Sequence, residues 1–555
     1  MSVVANWLNP VAAHTNVGRS PRIGFTGAVG SVLGNLAGRW RVGATRQLRD
    51  LAQIPRPRAG DVISGVSVAL VLIPQSLAYA NLAGLPPVMG LFASAFPLLI
   101  FAAFASSPFL QTGPVALTSL LTAGALAGAG LEPSTEAYIG AAAILAIVVG
   151  VTRAIIGITR LGGIVYLMAE PVTIGFTSGA GLVIMASQLP RALGAELPTD
   201  VGGWSNPIAR AAWAISHPNS WTVGALLISV ITLGLMLQGR KVHRLFPGVL
   251  VAVLLALMFS RAFDCGGTVI PDIDAGLPTW SLDLPWSRTG SLITGGLVIA
   301  LVGFAEPASI ARLFANEDQT RWSSSREFFA SGLANTVAGV TGAYPVGGSF
   351  SRSSVNRFAG AETRFSGAIT GLVVIAFLPF AGLLDGLPDA VLGAIVVGAV
   401  MTLIKPKRLY RLWRRSPWQA GLAWITFGAT LLTPPNVQYA VLLGVAATVI
   451  LHFIRPFRLD VERTAEGELH IRPRGLLWIA TNRKFKAALR ELIAHDSGTG
   501  PVVVSLDRST AIDSAIADSV AAGQVAAKRA GRPFHVTNPP EGAVPILENF
   551  DLTIV

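Results

Sequence analysis

The chain has little of what soluble enzymes and metalloproteins need. Only 13% of its 555 residues are charged, against roughly 25% in soluble domains. Its single cysteine, Cys265, excludes an intramolecular disulfide, and its seven histidines form no ligand-like cluster. We therefore predict no metal site and no cofactor. A GxxxxGK[ST] phosphate-binding sequence is also missing, which argues against an ATP-driven pump.

Apolar sequence is what the chain has in abundance. Hydrophobic residues make up 52% of it, and its mean hydropathy is +0.58. The formal net charge of +12 would be compatible with nucleic-acid binding, but the basic residues stand in short clusters between apolar stretches. Such clusters are typical of membrane topology signals. We predict an α-helical polytopic membrane protein that lies in a lipid bilayer and binds no nucleic acid.

Apolar stretches of about 17 to 25 residues, with shorter ones at two breaks, predict the membrane spans. The fourteen candidates begin near positions 62, 87, 114, 137, 162, 222, 246, 290, 327, 349, 366, 388, 417 and 437. Residues 54–455 form the predicted transmembrane domain. Residues 1–53 form an N-terminal region whose alternative interpretation is a transit peptide.

The charges of the connecting segments predict the orientation of the spans. Eight arginines precede the first span against one acid, Asp50, which places the N-terminus in the cytoplasm. The basic clusters Arg240–Arg244 and Lys405–Arg415 then fall inside, and the aspartate-rich loop Arg261–Arg288 falls outside. An even number of spans returns the C-terminus to the cytoplasm. The predicted location is the cell inner membrane or plasma membrane.

The two halves of the span region resemble each other faintly. Pro74–Ala80 in the first span is similar to Glu306–Ala311 in the eighth. Fourteen spans divide into seven plus seven, and because seven is odd the second half runs upside down. The fold class that follows is a 7+7 inverted repeat, in which a substrate binds between the repeats.

Two short stretches interrupt apolar spans at matching places in the halves. They are Gln111–Ala116 and Tyr344–Arg352. Backbone that unwinds inside a membrane leaves polar groups unsatisfied unless it lines a cavity, and paired Gly/Pro breaks mark transporter substrate sites. We predict that the substrate binds between these two breaks. The alternative is a packing kink filled by neighbouring helices.

The breaks favour an anion as substrate. A helix that starts in mid-membrane has unpaired N–H groups and the positive end of its dipole at its start, and two facing starts form an anion site. Pro114 suits such a first turn because its missing N–H would be unpaired anyway. Gly347 and Gly348 let the backbone approach a ligand closely. The predicted main-chain and hydroxyl donors are Val115, Ala116, Ser349 and Ser351.

Two charges stand inside the predicted spans. Arg352 lies one turn into the tenth span, where an unpaired charge costs at least ~2.5 kcal/mol, so it should have a partner. Either it serves the anion or it pairs with a carboxylate such as Glu306. Glu306 itself is a candidate proton carrier, because a buried carboxylate avoids desolvation by taking up a proton. The alternative for Glu306 is a structural ion pair.

Several separated motifs resemble the SulP anion permeases, the sulfate permease family. The motifs are Pro74–Ala80 followed by Ala83–Pro87, Gly175–Gly179 with Gln188-Leu189, and Ser349–Ser353 with Asn356 and Ala359-Gly360. The resemblance implies a core domain of spans 1 to 4 and 8 to 11, a gate domain of spans 5 to 7 and 12 to 14, and a homodimer. It also implies that Gln75, Tyr79 and Phe350 line the pocket, and that a carboxylate at Glu306 couples transport to protons.

After the last span the composition becomes that of a soluble α/β domain. We predict strands at Leu476–Ala480, Val502–Leu506 and Phe534–Val536, with a helix over Asn482–His495. Residues 459–555 resemble the cytoplasmic STAS domain of SulP permeases, whose signature loop matches Leu506-Asp507 and Ala511–Ser514. Ala515 stands where stand-alone relatives have a phosphorylatable hydroxyl, so we predict dimer contacts or a STAS-docking protein instead of that switch.

These patterns predict a secondary active transporter and not an enzyme, since no nucleophile–base pair stands at a membrane face. The predicted activity is proton-coupled uptake of a small oxyanion, sulfate, by alternating access. Importing a dianion against ~100 mV costs about 4.6 kcal/mol, so accumulation requires co-transported cations. The alternatives are a bicarbonate, dicarboxylate or chloride transporter or exchanger, with or without sodium coupling, and a non-transporting anion sensor.

Overall fold

The computed structural model of the chain describes most of the sequence from residue 57 onward. The described residues are 57–554 apart from 163–169, 199–205, 243–245, 264–267, 271–272, 274–275, 321, 416, 455–457, 465–466, 475–478, 497, 507–513, 540–543, 549 and 551. The predicted N-terminal region 1–53 therefore lies outside the described residues, as does the predicted STAS signature loop except for Leu506 and Ser514. The chain separates into two compact units, one ending at Ala446 and the other beginning at Ala447.

The first unit is almost entirely helical. The helices of its first half are α1 (Ala59–Leu82), α2 (Val88–Ser94), α3 (Phe96–Phe104), α4 (Ala116–Gly128), α5 (Glu136–Ile158), α6 (Glu170–Leu193), α7 (Pro207–Ser216), α8 (Val223–Val242) and α9 (Gly248–Ala262). Those of its second half are α10 (Thr289–Glu317), α11 (Ser324–Val340), α12 (Phe350–Phe358), α13 (Phe365–Phe377), α14 (Asp389–Val400), α15 (Pro406–Arg415), α16 (Pro417–Leu432) and α17 (Gln438–Ile454). Its two short strands are β1 (Thr112–Gly113) and β2 (Gly347–Gly348).

The helices of the first unit pack as two groups. In one group α5 packs along α10 and α11, and α13 packs against α1 and α3. In the other, α6 packs against α14 and α16, and α8 packs against α9 and α14. The first group draws on the helices that the resemblance assigns to the core domain, and the second on those it assigns to the gate domain. Helix α1 also contacts α14, so the two groups meet there.

Length and composition identify helices that could cross a bilayer. Among the described residues, five are long and apolar enough: Ala59–Leu82, Glu136–Ile158, Pro171–Leu193, Trp286–Glu317 and Phe365–Leu384. Shorter apolar helices accompany them, including Ala116–Gly128 and Asp389–Val400. The predicted helical polytopic architecture is confirmed, whereas the count of fourteen spans stays a prediction.

Predicted span starts and observed helix starts agree closely. Each predicted start lies within a few residues of a helix start, except the fifth, near 162, where α6 begins at Glu170 after undescribed residues. The second predicted span is broken at Ala95 into α2 and α3. Helices α7 and α15 lie between predicted spans and are too short to cross a bilayer, which needs about 20 residues.

The second unit contains a four-stranded sheet with helices. Its strands are β3 (Arg458–Arg463), β4 (Leu469–Arg474), β5 (Val502–Ser505) and β6 (Phe534–Thr537), in the order β3-β4-β5-β6. The first pair is antiparallel and the other two are parallel. The helices are α18 (Ile479–His495), α19 (Ser514–Arg529) and α20 (Val544–Glu548). Because parallel neighbours need a crossover, α18 connects β4 to β5 and α19 connects β5 to β6.

The predicted elements of this unit are partly correct. The strands at Val502 and Phe534 and the helix that ends at His495 are present where predicted. The strand predicted at Leu476–Ala480 is wrong at its last two residues, because Ile479 already begins α18, and residues 476–478 lie outside the described part of the chain. The strand described before α18 is Leu469–Arg474. An apolar run of five residues does not separate a buried strand from the first turn of a buried helix.

Candidate functional site

The two sequence breaks lie side by side in the structure. Strands β1 and β2 pair antiparallel, with Thr112 opposite Gly348 and Gly113 opposite Gly347. The Ser349 N–H extends the ladder by donating to the Gln111 carbonyl at 3.0 Å. Each strand has only two residues. Their pairing provides hydrogen-bond partners for backbone N–H and C=O groups in a segment where the chain is not helical. The breaks therefore form one local structure shared by the two halves.

A helix begins directly after each of these strands. In α4 the first helical hydrogen bond runs from the Ser119 N–H to the Val115 carbonyl, and in α12 it runs from the Ser353 N–H to the Ser349 carbonyl, both at 3.0 Å. The amides that precede these donors have no acceptor inside their helix. Because the strands are adjacent and short, the positive ends of both helix dipoles flank the same pair of strands. An anion beside these strands would meet N–H groups at the starts of helices from both halves.

Gly113, the last residue of β1, has a backbone conformation that favours glycine. Its φ is +137°, a value that residues with a Cβ rarely adopt. A Cβ placed on Gly113 would lie 3.5 Å from Nη2 of Arg352. The break in the first half therefore brings its backbone beside the charged group of the second half.

Asn335 of α11 holds the chain that enters β2. Its side-chain oxygen accepts the Val346 N–H at 2.9 Å, and its Nδ2 donates to the Val346 carbonyl at 3.2 Å. Both backbone groups of Val346 are thus bound by one buried side chain. This arrangement fixes the residue that comes directly before the strand.

Arg153 of α5 also binds the chain segment that enters β2. Its guanidinium donates to the carbonyls of Ile299 and Ala300 in α10 and of Val346, and to the Ser331 hydroxyl, at 2.9 to 3.1 Å. The side chain is fully buried. With this many charge-assisted hydrogen bonds, Arg153 stabilises the packing of α5, α10 and α11 around β2. It is a structural residue of the site.

Arg352 of α12 has no such bonds. Its side chain is 0% exposed, and none of its three guanidinium nitrogens has a hydrogen-bond partner among the described residues. The ion pairs among the described residues do not include it, so the alternative in which Arg352 pairs with Glu306 is not observed there. Buried donors are normally paired. Arg352 therefore presents unpaired N–H donors and a positive charge next to the paired strands.

Glu306 lies close to the start of α12. Its carboxylate lies near the backbone N–H of Phe350 and near the positive charges of Lys405 and Arg352. The Arg352 guanidinium in turn lies near the Glu306 carboxylate and the Tyr79 and Tyr344 phenols. The structure thus gathers an acid, a guanidinium and two phenols around the amino end of one short helix.

The remaining predicted residues differ in their burial. Within the described chain the predicted site residues that are buried are Gln75, Tyr79, Pro114, Val115, Ala116, Ser349 and Arg352. Ser351 is half-buried, and its hydroxyl lies 3.2 Å from that of Ser349. Phe350 differs, because its side chain is 47% exposed. Gln75 has an unpaired side-chain oxygen.

Two residues of this region were not predicted from the sequence. Arg153 stands in the middle of an apolar span, and an intramembrane charge is itself a signal that the region has a special role. Tyr344 precedes Pro345 at the start of the second break, and its hydroxyl is buried without a partner among the described groups. A search for isolated polar residues inside apolar spans would have found both.

Comparison with known proteins identifies relatives of most of the first unit. The profile of the Sulfate permease family matches residues 59–426. The chain is 32% identical over 400 residues to "Sulfate transporter 4.1, chloroplastic" of Arabidopsis thaliana, covering 71% of this chain and 58% of that protein. It is 35% identical over 401 residues to a probable sulfate transporter of Mycobacterium tuberculosis, covering 70% and 69%. The chain thus spans less than two thirds of the Arabidopsis relative.

Solved structures share the fold. The murine Solute Carrier 26 family member A9 anion transporter in its inward-facing state matches with a TM-score of 0.68 and 18% identity, over 90% of this chain and 88% of that one. The transmembrane domain of a cyanobacterial bicarbonate transporter, BicA, matches with a TM-score of 0.59 and 23% identity, over 70% and 97%. At these identities the likeness concerns the fold alone.

Proposed function

This chain belongs to the sulfate permease family, and from that membership and its site we propose that it transports sulfate as a proton-coupled secondary transporter. Its relatives are membrane transporters and not enzymes. The anion binds between the starts of α4 and α12 and crosses the membrane by alternating access. Bicarbonate, dicarboxylates and chloride are the competing substrates.

The observation that carries this proposal is the pairing of β1 with β2 beside an unpaired guanidinium. The pairing brings together two helix starts, and Arg352 adds a full positive charge with unpaired donors. Such a set of donors suits an oxyanion and repels a cation. The proposed contacts are the backbone amides of Val115, Ala116 and Phe350, the serine hydroxyls of 349 and 351, and the Arg352 guanidinium.

Glu306 is the proposed proton carrier. Its carboxylate lies near the Phe350 N–H, one of the amides that the substrate would use. An ionised Glu306 therefore competes with a bound anion for the same helix start, and protonation removes that competition. Uptake of the anion together with protons follows, and it offsets the cost of moving a dianion against the membrane potential.

Radiolabelled sulfate uptake into proteoliposomes with an imposed pH gradient tests the proposal. The parent protein should accumulate sulfate only when the outside is more acidic. Glu306→Gln should lose gradient-driven accumulation while retaining exchange of internal for external sulfate. Arg352→Ala should lose both gradient-driven accumulation and sulfate exchange, because the substitution removes a side chain that contacts the substrate.

Three outcomes would count against parts of the proposal. Accumulation by Glu306→Gln equal to that of the parent would remove the proton-carrier role. If unlabelled bicarbonate or chloride inhibited the uptake of labelled sulfate more strongly than unlabelled sulfate does, that anion and not sulfate would be the substrate. If the purified protein bound sulfate but no uptake were measured, the protein would be a non-transporting anion sensor.

The proposed setting is a homodimer in the inner or plasma membrane, with both termini in the cytoplasm. The proposed domains are 1–53, a transport domain over 54–455 and a STAS domain over 459–555, which a partner protein docks on or which contributes dimer contacts. The mixed sheet with crossover helices in the second unit supports the STAS assignment. Chemical crosslinking in native membranes and protease access to the tail in sealed vesicles test these points.

A further inference from the structure

Helix α15, Pro406–Arg415, is a short cationic helix between two predicted spans. It follows α14 and precedes α16, so it lies at the membrane end where those spans connect. The backbone N–H of Lys405, directly before it, donates to the Ser178 hydroxyl of α6 at 3.3 Å. The charge distribution of the sequence predicts that this end is cytoplasmic. The start of the helix is therefore fixed to the helix bundle at the membrane surface.

One side of α15 attaches to the protein. Leu409 is 4% exposed and forms a small core with Ile174 of α6 and Ala423 of α16, and Leu412, one turn later, packs against it. Residues three apart lie on the same face of a helix. This attachment fixes the rotation of α15 about its axis, and with it the direction of the other side chains.

A second side of α15 carries exposed aromatic residues. Tyr410 is 62% exposed and Trp413 58% exposed, and they too are three residues apart. Trp418, at the start of α16, is likewise exposed. Tyr and Trp are the side chains enriched where a membrane meets water, because each has an apolar ring and a polar tip. This aromatic face suits the boundary between head groups and acyl chains.

The third side is a cationic face, formed by Lys407, Arg408, Arg411 and Arg414. All four are exposed, and three of them follow one another at spacings of four and three residues along one stripe. Arg414 also stacks over the Tyr410 ring, with its Cζ 5.7 Å from the ring centre. The cationic face therefore borders the aromatic face, as in helices that lie in the membrane interface.

Among the described residues, the cationic face has no acidic partner. At the same predicted membrane end, Arg58 pairs with Glu362, and Arg357 pairs with Glu317 and Asp318. By contrast, no ion pair within the described residues includes any of the four residues of the cationic face. Its charge is therefore available to an external anionic group at the depth of the lipid head groups.

We propose that α15 is a binding site for anionic phospholipid head groups. The aromatic face inserts at the acyl boundary, and the cationic face binds the phosphates of phosphatidylglycerol or a lipid of like charge. Because Leu409 and Leu412 join α15 to α6 and α16, a bound lipid would anchor the second helix group and leave the first free to move. The site is independent of the transported anion.

Native mass spectrometry of the full chain tests the lipid preference. The protein in neutral detergent is titrated with phosphatidylglycerol or with phosphatidylcholine of the same acyl chains. We expect phosphatidylglycerol to bind at least tenfold more tightly, and the triple variant Lys407→Gln, Arg411→Gln, Arg414→Gln to lose this preference. The matched control Arg160→Gln, Lys241→Gln, Arg288→Gln removes equal charge from exposed positions elsewhere and should retain it. Equal preference in the two triple variants would overturn the proposal.

Amine labelling of the unmodified sequence provides a test that does not depend on a variant folding. Lys407 is acetylated in nanodiscs of phosphatidylcholine and of phosphatidylglycerol, with exposed Lys241 as the internal reference. We expect Lys407 to react at least fivefold more slowly in phosphatidylglycerol, relative to Lys241. Slow reaction in both lipids would indicate that an acidic protein surface covers the helix, and fast reaction in both would indicate no ligand. Either result overturns the proposal.

Discussion

Arg153 and Arg352 are both fully buried arginines of the first unit, yet their surroundings are opposite. The Arg153 guanidinium donates to Ile299, Ala300, Ser331 and Val346. The Arg352 guanidinium, close to the same paired strands, donates to no described residue. A buried charge with a full set of bonds holds helices together, whereas one without them weakens the fold and is available to a ligand. Burial alone therefore does not separate a structural charge from a functional one.

The largest effect should come from Arg153. Arg153→Met removes four charge-assisted hydrogen bonds around the entry to β2, and such bonds contribute about 1.5–3 kcal/mol each before the desolvation of the charge is subtracted. We expect a net loss of about 2–5 kcal/mol, seen as a clearly lower melting temperature and a poor yield of monodisperse protein. A melting temperature equal to that of the parent would show that these bonds are not needed.

Arg352→Gln should have the opposite pattern. It removes a buried, unpaired charge, so the melting temperature should stay the same or rise, while sulfate uptake falls at least about tenfold, equivalent to about 1.4 kcal/mol. Arg357→Gln, at the other end of the same helix, is the control, because it breaks exposed ion pairs that contribute little. If Arg352→Gln lowered the melting temperature as much as is expected of Arg153→Met, the proposed difference between the two arginines would be wrong.

A smaller effect should follow from Gly113→Ala. Its φ of +137° is strained for alanine, at about 1–3 kcal/mol, and the new Cβ lies 3.5 Å from the Arg352 guanidinium. We expect uptake to fall several-fold. Gly130→Ala is the matched control, since its φ is +73° but nothing lies within 4 Å of the added Cβ. If both variants reduce uptake equally, backbone strain and not the position beside Arg352 is the cause.

The smallest effect should come from Ser349→Ala. The Ser349 hydroxyl caps α12 by accepting the Arg352 N–H at 3.5 Å, a long hydrogen bond, and it is also a proposed donor to the anion. We expect the KM for sulfate to rise a few-fold with little change in melting temperature. Ser323→Ala removes the corresponding cap of α11, which accepts the Arg326 N–H at 3.3 Å, and should leave the KM unchanged. A KM that is the same in both variants would argue against a contact from Ser349.

The sequence was most informative where a feature is local. The positions of the helices follow from apolar stretches, and the two breaks follow from Gly and Pro inside such stretches. The start of α12 at Phe350 lies one residue from its predicted position, and α4 at Ala116 lies two from its own. These features depend on neighbours in the chain, so a single sequence is enough to find them.

Features that depend on distant residues were missed. The pairing of β1 with β2 joins strands more than two hundred positions apart, and a strand of two residues has no periodicity to detect. Arg352 was expected to have a partner, but whether Glu306 comes within bonding distance depends on how α10 packs against α12. The break of the second span at Ala95 likewise follows from packing that no local pattern records.

A crystal structure of the protein with selenate, which has the shape and charge of sulfate and scatters anomalously, tests the central claim most directly. The proposed site predicts one anomalous peak between the starts of α4 and α12, within hydrogen-bonding distance of the Arg352 guanidinium, and its loss in Arg352→Gln. A peak at any other place, or an unchanged peak in that variant, would contradict it.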